Sequence, residues 1–209
     1  MNNYFDAFLD LIFPPKCEVC KSSSKAALCQ DCFQSVKFMK PHLGIHSVTA
    51  YNDVVKHALH QLKFQNKKRL AQPMGVLMVQ YLSQSMHLDL KQIDVLVPVP
   101  LHPNRLKQRG FNQAHLIALS IHQYYGIKIE NALLRVVDTK PQFDLDRKER
   151  FNNVKGAFAI NKTNTIFNKK VLLIDDIYTT GATIAECANT LKVAGAKRTD
   201  ILTLARAVE

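Results

Sequence analysis

Four cysteines near the start of the chain have the spacing of metal ligands. Cys17 and Cys20 form one C-x-x-C pair, Cys29 and Cys32 form a second, and eight residues separate the pairs. Zn²⁺ prefers four thiolates in a tetrahedron, and each C-x-x-C turn can present two sulfurs to one ion. We therefore predict a structural zinc site in a small ribbon whose folding free energy comes largely from the metal.

Two disulfides are the alternative to this metal site. The chain has five cysteines, an odd number, and its N-terminus lacks the basic segment of a secretory signal. We therefore expect a reducing cytoplasmic location, where disulfides are rare. A thioredoxin-like redox site is disfavoured because there are two pairs and no strand leads into either. Cys187 lies among apolar residues of a predicted helix, so we expect it to be a core residue.

A second chemically distinctive segment is VLLIDDIYTTGAT, from Val171 to Thr183. It predicts a buried strand, two carboxylates at its end, and a turn of small hydroxyl residues that opens a helix. Ligands bind at the carboxyl ends of strands in open α/β sheets, and a helix N-terminus favours a phosphate dianion. Asp175 and Asp176 can accept hydrogen bonds from two vicinal hydroxyls of a ribose. The residues expected near its phosphate are Thr179, Thr180, Gly181 and Thr183.

Other nucleotide-binding sites share part of this pattern. The strand and its aspartates resemble a Walker B segment, but the chain contains no G-x-x-x-x-G-K-[ST] to cradle a phosphate. It also lacks a G-x-G-x-x-G, which disfavours a dinucleotide site. Asp175 could be a simple helix cap, although that leaves Asp176 and the threonines unexplained.

The elements around these motifs alternate between strands and helices. The predicted strands are Val48–Tyr51, Ile93–Val97, one or two within 127–137, Ala157–Ile160, Val171–Ile174 and Ile201–Ala205. The predicted helices begin near Asp53, Leu70 and Asn112, a further helix follows DDIYTTGAT and extends to about Ala194, and a short amphipathic helix carries Phe5, Phe8, Leu9 and Ile12. We predict an α/β protein with a doubly wound, mostly parallel sheet. Residues 1–40 are assigned to the helix and zinc ribbon, and residues 41–209 to the α/β domain.

Basic residues outnumber acidic ones and concentrate in predicted loops. Lys and Arg total 28 against 17 Asp and Glu, a net charge of +11 that attracts polyanions. We expect one basic loop from Pro100 to Gly110 and a second over residues 138–153. The sequence has no apolar run of about 18 residues, so no membrane span is predicted.

The segment VLLIDDIYTTGAT resembles the phosphoribosyl pyrophosphate (PRPP) signature of type I phosphoribosyltransferases. The rest of the chain resembles the ComF family, known from bacterial competence and natural transformation. The matching pieces are the four-cysteine module, Ala50-Tyr51 leading to Leu62-Lys63-Phe64, VPVPLHP at Val97–Pro103, RLKQRGFNQA at Arg105–Ala114, and Gln142 through Arg150 to Phe158. Together these pieces span nearly the whole chain.

The resemblance implies roles for three groups of residues. Asp175 and Asp176 bind the ribose hydroxyls, and the loop Thr179, Thr180, Gly181, Ala182 and Thr183 binds the 5′-phosphate. The pyrophosphate loop is Val99, Pro100, Leu101 and His102, with positive charge from Arg105 and Arg109. Residues 138–153 form a mobile loop in which Arg147, Lys148 and Arg150 face the leaving group or DNA. Mg²⁺ is expected with PRPP, held largely by PRPP oxygens and water.

The resemblance also implies a biological role. ComF proteins are associated with handling incoming single-stranded DNA, which the positive charge favours. Aromatic residues near basic or loop residues, as base stacking needs, are Phe64, Phe111, Phe143, Phe151 and Tyr178. One alternative is an active Mg-dependent phosphoribosyltransferase with an unidentified acceptor. Another is a protein-binding adaptor that docks a helicase or other competence protein.

Overall fold

A five-stranded parallel sheet organises the protein, with strand order β1-β7-β6-β2-β3. The computed structural model describes residues 14–51, 53–85, 88–139, 147–161 and 165–207. The strands are β1 (Ile45–Ala50), β2 (Val95–Pro98), β3 (Lys128–Ile129), β4 (Leu133–Arg135), β5 (Phe158–Ile160), β6 (Lys170–Tyr178) and β7 (Arg198–Arg206). Strands β4 and β5 pair with each other in an antiparallel arrangement, outside the main sheet.

Helices separate most of the strands along the chain. They are α1 (Gln30–Gln34), α2 (Asp53–Phe64), α3 (Ala71–Gln84), α4 (Pro103–Arg109), α5 (Gln113–Tyr125), α6 (Arg147–Val154) and α7 (Ala182–Val193), with 3₁₀ turns at Lys68–Leu70 and Leu90–Gln92. Asn112 caps α5 as predicted, because its side chain accepts a 3.0 Å hydrogen bond from the Ala114 amide. The predicted N-terminal helix over Phe5–Ile12 lies outside the described residues.

The sheet is covered on both faces because alternate strand residues point in opposite directions. Leu172 and Ile174 of β6 join one core with residues of α2, α3 and α5. Val171 and Leu173 join a second core with residues of α7, including the buried Cys187. This arrangement confirms the predicted α/β fold with a doubly wound parallel sheet.

The cysteine ribbon shares a core with the helices of the α/β domain. Cys17 and Leu28 are buried in the same apolar cluster as Leu77 and Met78 of α3. Gln61 Nε2 also donates a 2.6 Å hydrogen bond to the carbonyl oxygen of Glu18. The ribbon is therefore attached to one face of the domain by both apolar and polar contacts.

The prediction of two long basic loops is wrong in part, because each of these segments contains a helix. Within the expected loop Pro100–Gly110, α4 has Pro103 at its start and ends at Gly110, whose φ is 77°. Within the expected loop 138–153, α6 begins at Arg147, and residues 140–146 lie outside the described residues. Charged side chains do not prevent a short helix, because Arg, Lys, Glu and Gln are good helix formers.

Strand β6 is longer than the sequence analysis predicts. It continues past Ile174 to Tyr178 because β7 pairs with it as far as the register Tyr178↔Arg206. Asp175 and Asp176 therefore lie within the extended strand, before its last residue, Tyr178. Among the described residues, no helix has the length and apolar character needed to cross a bilayer.

Candidate functional site

The helices that follow β2 and β6 pack on opposite faces of the sheet. These strands are neighbours, yet α5, which follows β2, contributes to one core and α7, which follows β6, contributes to the other. The segments leaving the two strands therefore diverge and leave a crevice at their carboxyl ends, which is where open α/β sheets bind ligands. Both loops predicted to bind PRPP leave the sheet at this crevice.

Asp176 is a buried carboxylate near the carboxyl end of β6, and the residue is only 4% exposed. Lys63 at the end of α2 donates a 2.8 Å hydrogen bond from Nζ to Asp176 Oδ1. The other carboxylate oxygen, Oδ2, is buried and has no hydrogen-bond partner among the residues that the structure describes. One oxygen is thus held by the protein, while the second retains its capacity to accept a hydrogen bond.

Asp175 points to the opposite face of the sheet, because it is the neighbouring residue of the same strand. Desolvation, together with the charge of Asp176, raises the pKa of Asp175 to about 7. Lys63 and Arg135 oppose that rise electrostatically. The two aspartates consequently present their carboxylates on the two faces of β6 at the same edge.

The hydroxyl-rich turn after β6 is shaped by Gly181 and Tyr178. Gly181 has φ 82° and is the N-cap residue of α7, and a Cβ there would lie 2.5 Å from the Tyr178 hydroxyl oxygen. Only glycine fits both the backbone conformation and the approach of the ring. The hydroxyl of Thr180 is buried without a hydrogen-bond partner in the described chain, whereas Thr179 is exposed.

The first turn of α7 adds backbone donors to this hydroxyl-rich turn. Ala182 is buried and Thr183 is half-buried at the start of the helix. The amides of a first helical turn have no intrahelical acceptor, and the helix dipole favours an anion there. The residues predicted to bind a phosphate are therefore gathered at one helix N-terminus.

The predicted pyrophosphate loop follows β2 beside these residues. The Val99 amide donates to the Ile174 carbonyl oxygen at 2.9 Å, and the Val99 carbonyl oxygen accepts from Asn112 Nδ2 at 2.9 Å. Pro100, Leu101 and His102 are half-buried, and His102 caps α4 by accepting from the Asn104 amide through Nδ1 at 3.3 Å. Both ends of the loop are therefore held in position.

Arg105 and Arg109 of α4 are oriented by hydrogen bonds to neutral oxygens. Arg105 Nη2 donates to the Thr139 carbonyl oxygen at 2.6 Å, and Arg109 Nη1 donates to Gln113 Oε1 at 2.6 Å. Burial lowers the pKa of Arg109, an effect that Asp176 opposes. Neither hydrogen bond neutralises the guanidinium charge, so both groups contribute positive potential.

Arg135 is a site residue that the sequence analysis missed. It is buried in β4, donates a hydrogen bond to the Thr139 hydroxyl, and lies 5.5 Å from the centroid of the Phe158 ring. Desolvation is the main cause of the lowered pKa of Arg135. The negative charge of Asp175 attracts the guanidinium and opposes this shift. The signal was an arginine inside the apolar run LLRVV, since a charged residue in a buried strand needs a reason.

The four predicted zinc ligands are brought together. Their sulfur atoms all lie within 4.8 Å of one another, with Cys17 and Cys32 Sγ 3.9 Å apart and Cys20 and Cys29 Sγ 3.5 Å apart. These distances suit the edges of a tetrahedron with Zn–S bonds of about 2.3 Å and far exceed a disulfide bond of about 2.05 Å. The Ser22 hydroxyl, 3.0 Å from Cys20 Sγ, lowers the pKa of Cys20 to about 6 and favours the thiolate that zinc requires. The cluster fits a structural zinc ion.

The predicted basic and aromatic residues are not all at one edge. Lys197 and Arg198 lie at the start of β7, opposite the carboxyl ends of the strands. Arg150 is half-buried on α6, which packs against α7, and Phe143 lies outside the described residues. Phe64 is exposed, whereas Phe111 is buried with Lys68 Nζ 5.1 Å from its ring centroid.

Similarities to other proteins agree with this two-part architecture. A family described as the double zinc ribbon domain matches residues 8–43. Competence protein F of Haemophilus influenzae is 27% identical over 91% of this chain and 90% of that protein. Competence protein ComFC of Streptococcus pneumoniae is 29% identical over 96% and 85%, respectively. DNA utilization protein YhgH of Salmonella typhimurium is 29% identical over 84% of this chain and 77% of that protein.

Solved structures of larger proteins overlap with part of the chain. Glutamine PRPP amidotransferase from B. subtilis matches with 17% identity and a TM-score of 0.46, and an allosteric regulatory enzyme of purine biosynthesis matches with 16% identity and a TM-score of 0.48. Each match covers 70% of this chain but only 30% of the other. The chain therefore resembles competence protein F, ComFC and YhgH over most of its length, and its cysteine ribbon matches the double zinc ribbon family.

Proposed function

We propose that this protein binds PRPP at the carboxyl end of β6 and handles single-stranded DNA during natural transformation. The observation that carries the proposal is Asp176, a buried carboxylate with one oxygen held by Lys63 and the other unpaired among the described residues. It lies at the carboxyl end of β6, beside the crevice between the amide-rich start of α7 and the loop after β2. A sugar hydroxyl supplies the donor that the unpaired oxygen needs.

The proposed PRPP orientation follows from the charges and donors at this edge. Asp175 and Asp176 accept hydrogen bonds from the ribose diol, and the segment Thr179–Thr183 donates to the 5′-phosphate. The loop Val99–His102 contacts the pyrophosphate, with Arg105 and Arg109 providing positive charge. Each part of PRPP then meets groups of complementary chemistry.

Mg²⁺ fits the same donor set, because it prefers oxygen ligands and retains several waters. PRPP oxygens and water would hold most of it, and Asp176 Oδ2 is a buried oxygen with no partner within the described ranges that could add a ligand. When bound, Mg²⁺ supplies positive charge to the pyrophosphate oxygens. The protein's own part is to fix the carboxylates and the surrounding cations.

The DNA-handling part rests on relatives and on charge. Relatives carry the names competence protein and DNA utilization protein, and a net charge of +11 favours a polyanionic ligand. We place this role in the cytosol, with residues 1–40 as the helix and zinc ribbon and 41–209 as the α/β domain. A helicase or another competence protein is the proposed protein partner of the ribbon.

Catalysis of phosphoribosyl transfer is a second candidate function. The same site that holds PRPP for recognition would also hold it for displacement of pyrophosphate, with positive charge from Arg105, Arg109 and Mg²⁺ favouring the leaving group. The acceptor is not identified. Release of pyrophosphate from Mg·PRPP in the presence of candidate acceptors separates this function from binding alone.

Calorimetric titration of Mg·PRPP tests the proposed site. Asp176→Asn is expected to abolish detectable binding, because the amide nitrogen cannot replace a carboxylate that accepts from the sugar. Asp200→Asn, at the opposite end of the same sheet, is the matched control and is expected to bind as wild type. Wild-type affinity in the Asp176→Asn protein would refute the site. In parallel, single-stranded DNA binding is followed by fluorescence anisotropy, and its absence would refute the DNA role.

A further inference from the structure

An exposed aromatic ring lies near a guanidinium group, beside the proposed PRPP site. Phe64, the last residue of α2, is 65% exposed. The His60 ring, one helical turn earlier, has its centroid 5.0 Å from the Phe64 centroid, and Arg109 Cζ lies 5.8 Å from it. The chain thus holds a large apolar ring in water next to a guanidinium, although burying it would be favourable.

We propose that Phe64 is a stacking subsite for a base of single-stranded nucleic acid, with neighbouring cations contacting the flanking phosphates. This inference rests on the DNA-handling role proposed above and assigns that role a surface. Lys67 and Lys68 follow Phe64 closely in the chain and are exposed, with Lys67 Nζ 3.3 Å from Glu18 Oε2 and Lys68 Nζ 5.1 Å from the Phe111 ring centroid. Exposed aromatic rings combined with cations are what bind single strands without regard to sequence.

Comparison with two other phenylalanines favours this ring. Phe111 is only 7% exposed, so it has no face for a base. Phe167 is 66% exposed, but it precedes β6 and therefore lies at the opposite edge of the sheet from the crevice. Phe64 combines exposure with a position at the carboxyl ends of the strands.

Two contacts connect the subsite to the proposed PRPP site. Lys63, the residue before Phe64, donates its hydrogen bond to Asp176. Arg109, whose guanidinium lies over the Phe64 ring, interacts electrostatically with the same carboxylate. A nucleotide stacked on Phe64 therefore lies against the residues that position Asp176, at the entrance of the crevice.

Anisotropy titrations with two labelled oligomers test the subsite. One is an oligothymidylate and the other is an abasic strand of the same length, which keeps the phosphates and lacks the bases. Wild type is expected to prefer the strand with bases. Phe64→Ala should weaken binding of that strand roughly 5- to 150-fold, the range for loss of one stacked base, and leave the abasic strand unchanged. Phe64→Trp should retain the preference, and Phe167→Ala should behave as wild type.

The outcomes separate the subsite from the wider proposal. If wild type binds both strands equally, or Phe64→Ala keeps its preference, stacking on Phe64 is refuted while DNA binding stands. If Phe64→Ala weakens both strands equally, the ring supports the fold or the cations and the subsite is also refuted. If wild type binds neither strand, the DNA-handling function itself fails together with the subsite. Melting temperature and zinc content verify that each variant is folded.

Discussion

Lys63 Nζ donates a 2.8 Å hydrogen bond to Asp176 Oδ1 and thereby ties the last turn of α2 to the carboxyl end of β6. The Lys63 side chain is 18% exposed and that of Asp176 is 6% exposed, so the pair lies largely out of water. Holding one carboxylate oxygen fixes the direction of the other. The ion pair is therefore a positioning device for the proposed ligand-binding oxygen.

Replacing Lys63 by alanine is expected to destabilise the protein. Asp176 would be left as a buried charge without its counter-ion, a change that typically costs about 3–5 kcal/mol. Partial exposure of Lys63 places the expected loss at the lower end of that range. Urea unfolding measures it, with Lys56→Ala on the exposed surface of the same helix as the control.

A double-mutant cycle isolates the pair itself. Asp176→Asn removes the negative charge that Lys63 balances, so adding it to Lys63→Ala should restore part of the lost stability. Since the two residues are in contact, we expect a coupling free energy above about 0.5 kcal/mol. Strictly additive losses would contradict the assigned ion pair.

Asp175 should make stability depend on pH. Folding raises its pKa from about 4 in an unfolded chain to about 7, so the folded state holds this proton more tightly. Its contribution to stability is full below about pH 4 and is lost as the pH rises through about 7. Asp175→Asn removes the ionisation. The melting temperature of the variant, relative to that of wild type, should therefore rise between pH 5 and pH 8. Parallel pH profiles for the two proteins would contradict the shift.

Local patterns predicted much of this architecture. The C-x-x-C spacing predicted the cysteine cluster, and apolar runs predicted the strands, because each signal lies within a few consecutive residues. The helix α4 was missed because a short basic segment has no strong apolar periodicity. The extension of β6 to Tyr178 was missed because it depends on pairing with β7.

Contacts distant in sequence account for what was missed at the site. Lys63 and Asp176 are separated by 113 residues, and only the docking of α2 on the sheet brings them together. Arg135 faces Asp175 for a similar reason, since β4 lies outside the main sheet. Residue types predicted the ligand chemistry, whereas the supporting charges required the fold.

The zinc ribbon makes a stoichiometric prediction. Protein purified without chelator should contain one zinc per chain, measured by elemental analysis, because four thiols form one cluster. Cys29→Ser should lose the metal and lower the melting temperature, since metal binding supplies folding free energy. Cys187→Ala, a buried cysteine outside the cluster, should keep its zinc despite some loss of stability. Full zinc content in Cys29→Ser would argue against the four-thiolate site.

Substitution of Gly181 should destabilise the protein more than substitution of a glycine with the same backbone conformation elsewhere. Gly181 and Gly126 have φ of 82° and 73°, so alanine costs about 1–2 kcal/mol at either position. Only at Gly181 would the added Cβ meet the Tyr178 ring, whereas around Gly126 no described atom lies within 4 Å. Gly181→Ala should therefore unfold at lower urea concentration than Gly126→Ala and lose PRPP affinity by calorimetry. Equal stability and affinity in the two variants would contradict the close approach.

Lys68 should contribute to DNA binding through charge alone. It is exposed near the proposed stacking ring, so Lys68→Gln is expected to weaken single-strand binding equally for strands with and without bases. Loss of one phosphate contact should reduce the slope of log affinity against log salt by about 0.7 for single strands. Lys197→Gln, at the amino-terminal edge of the sheet, removes the same charge and should leave the slope unchanged. Equal effects of the two variants would mean that net charge rather than this edge binds the strand, because a general electrostatic field does not distinguish the two lysines.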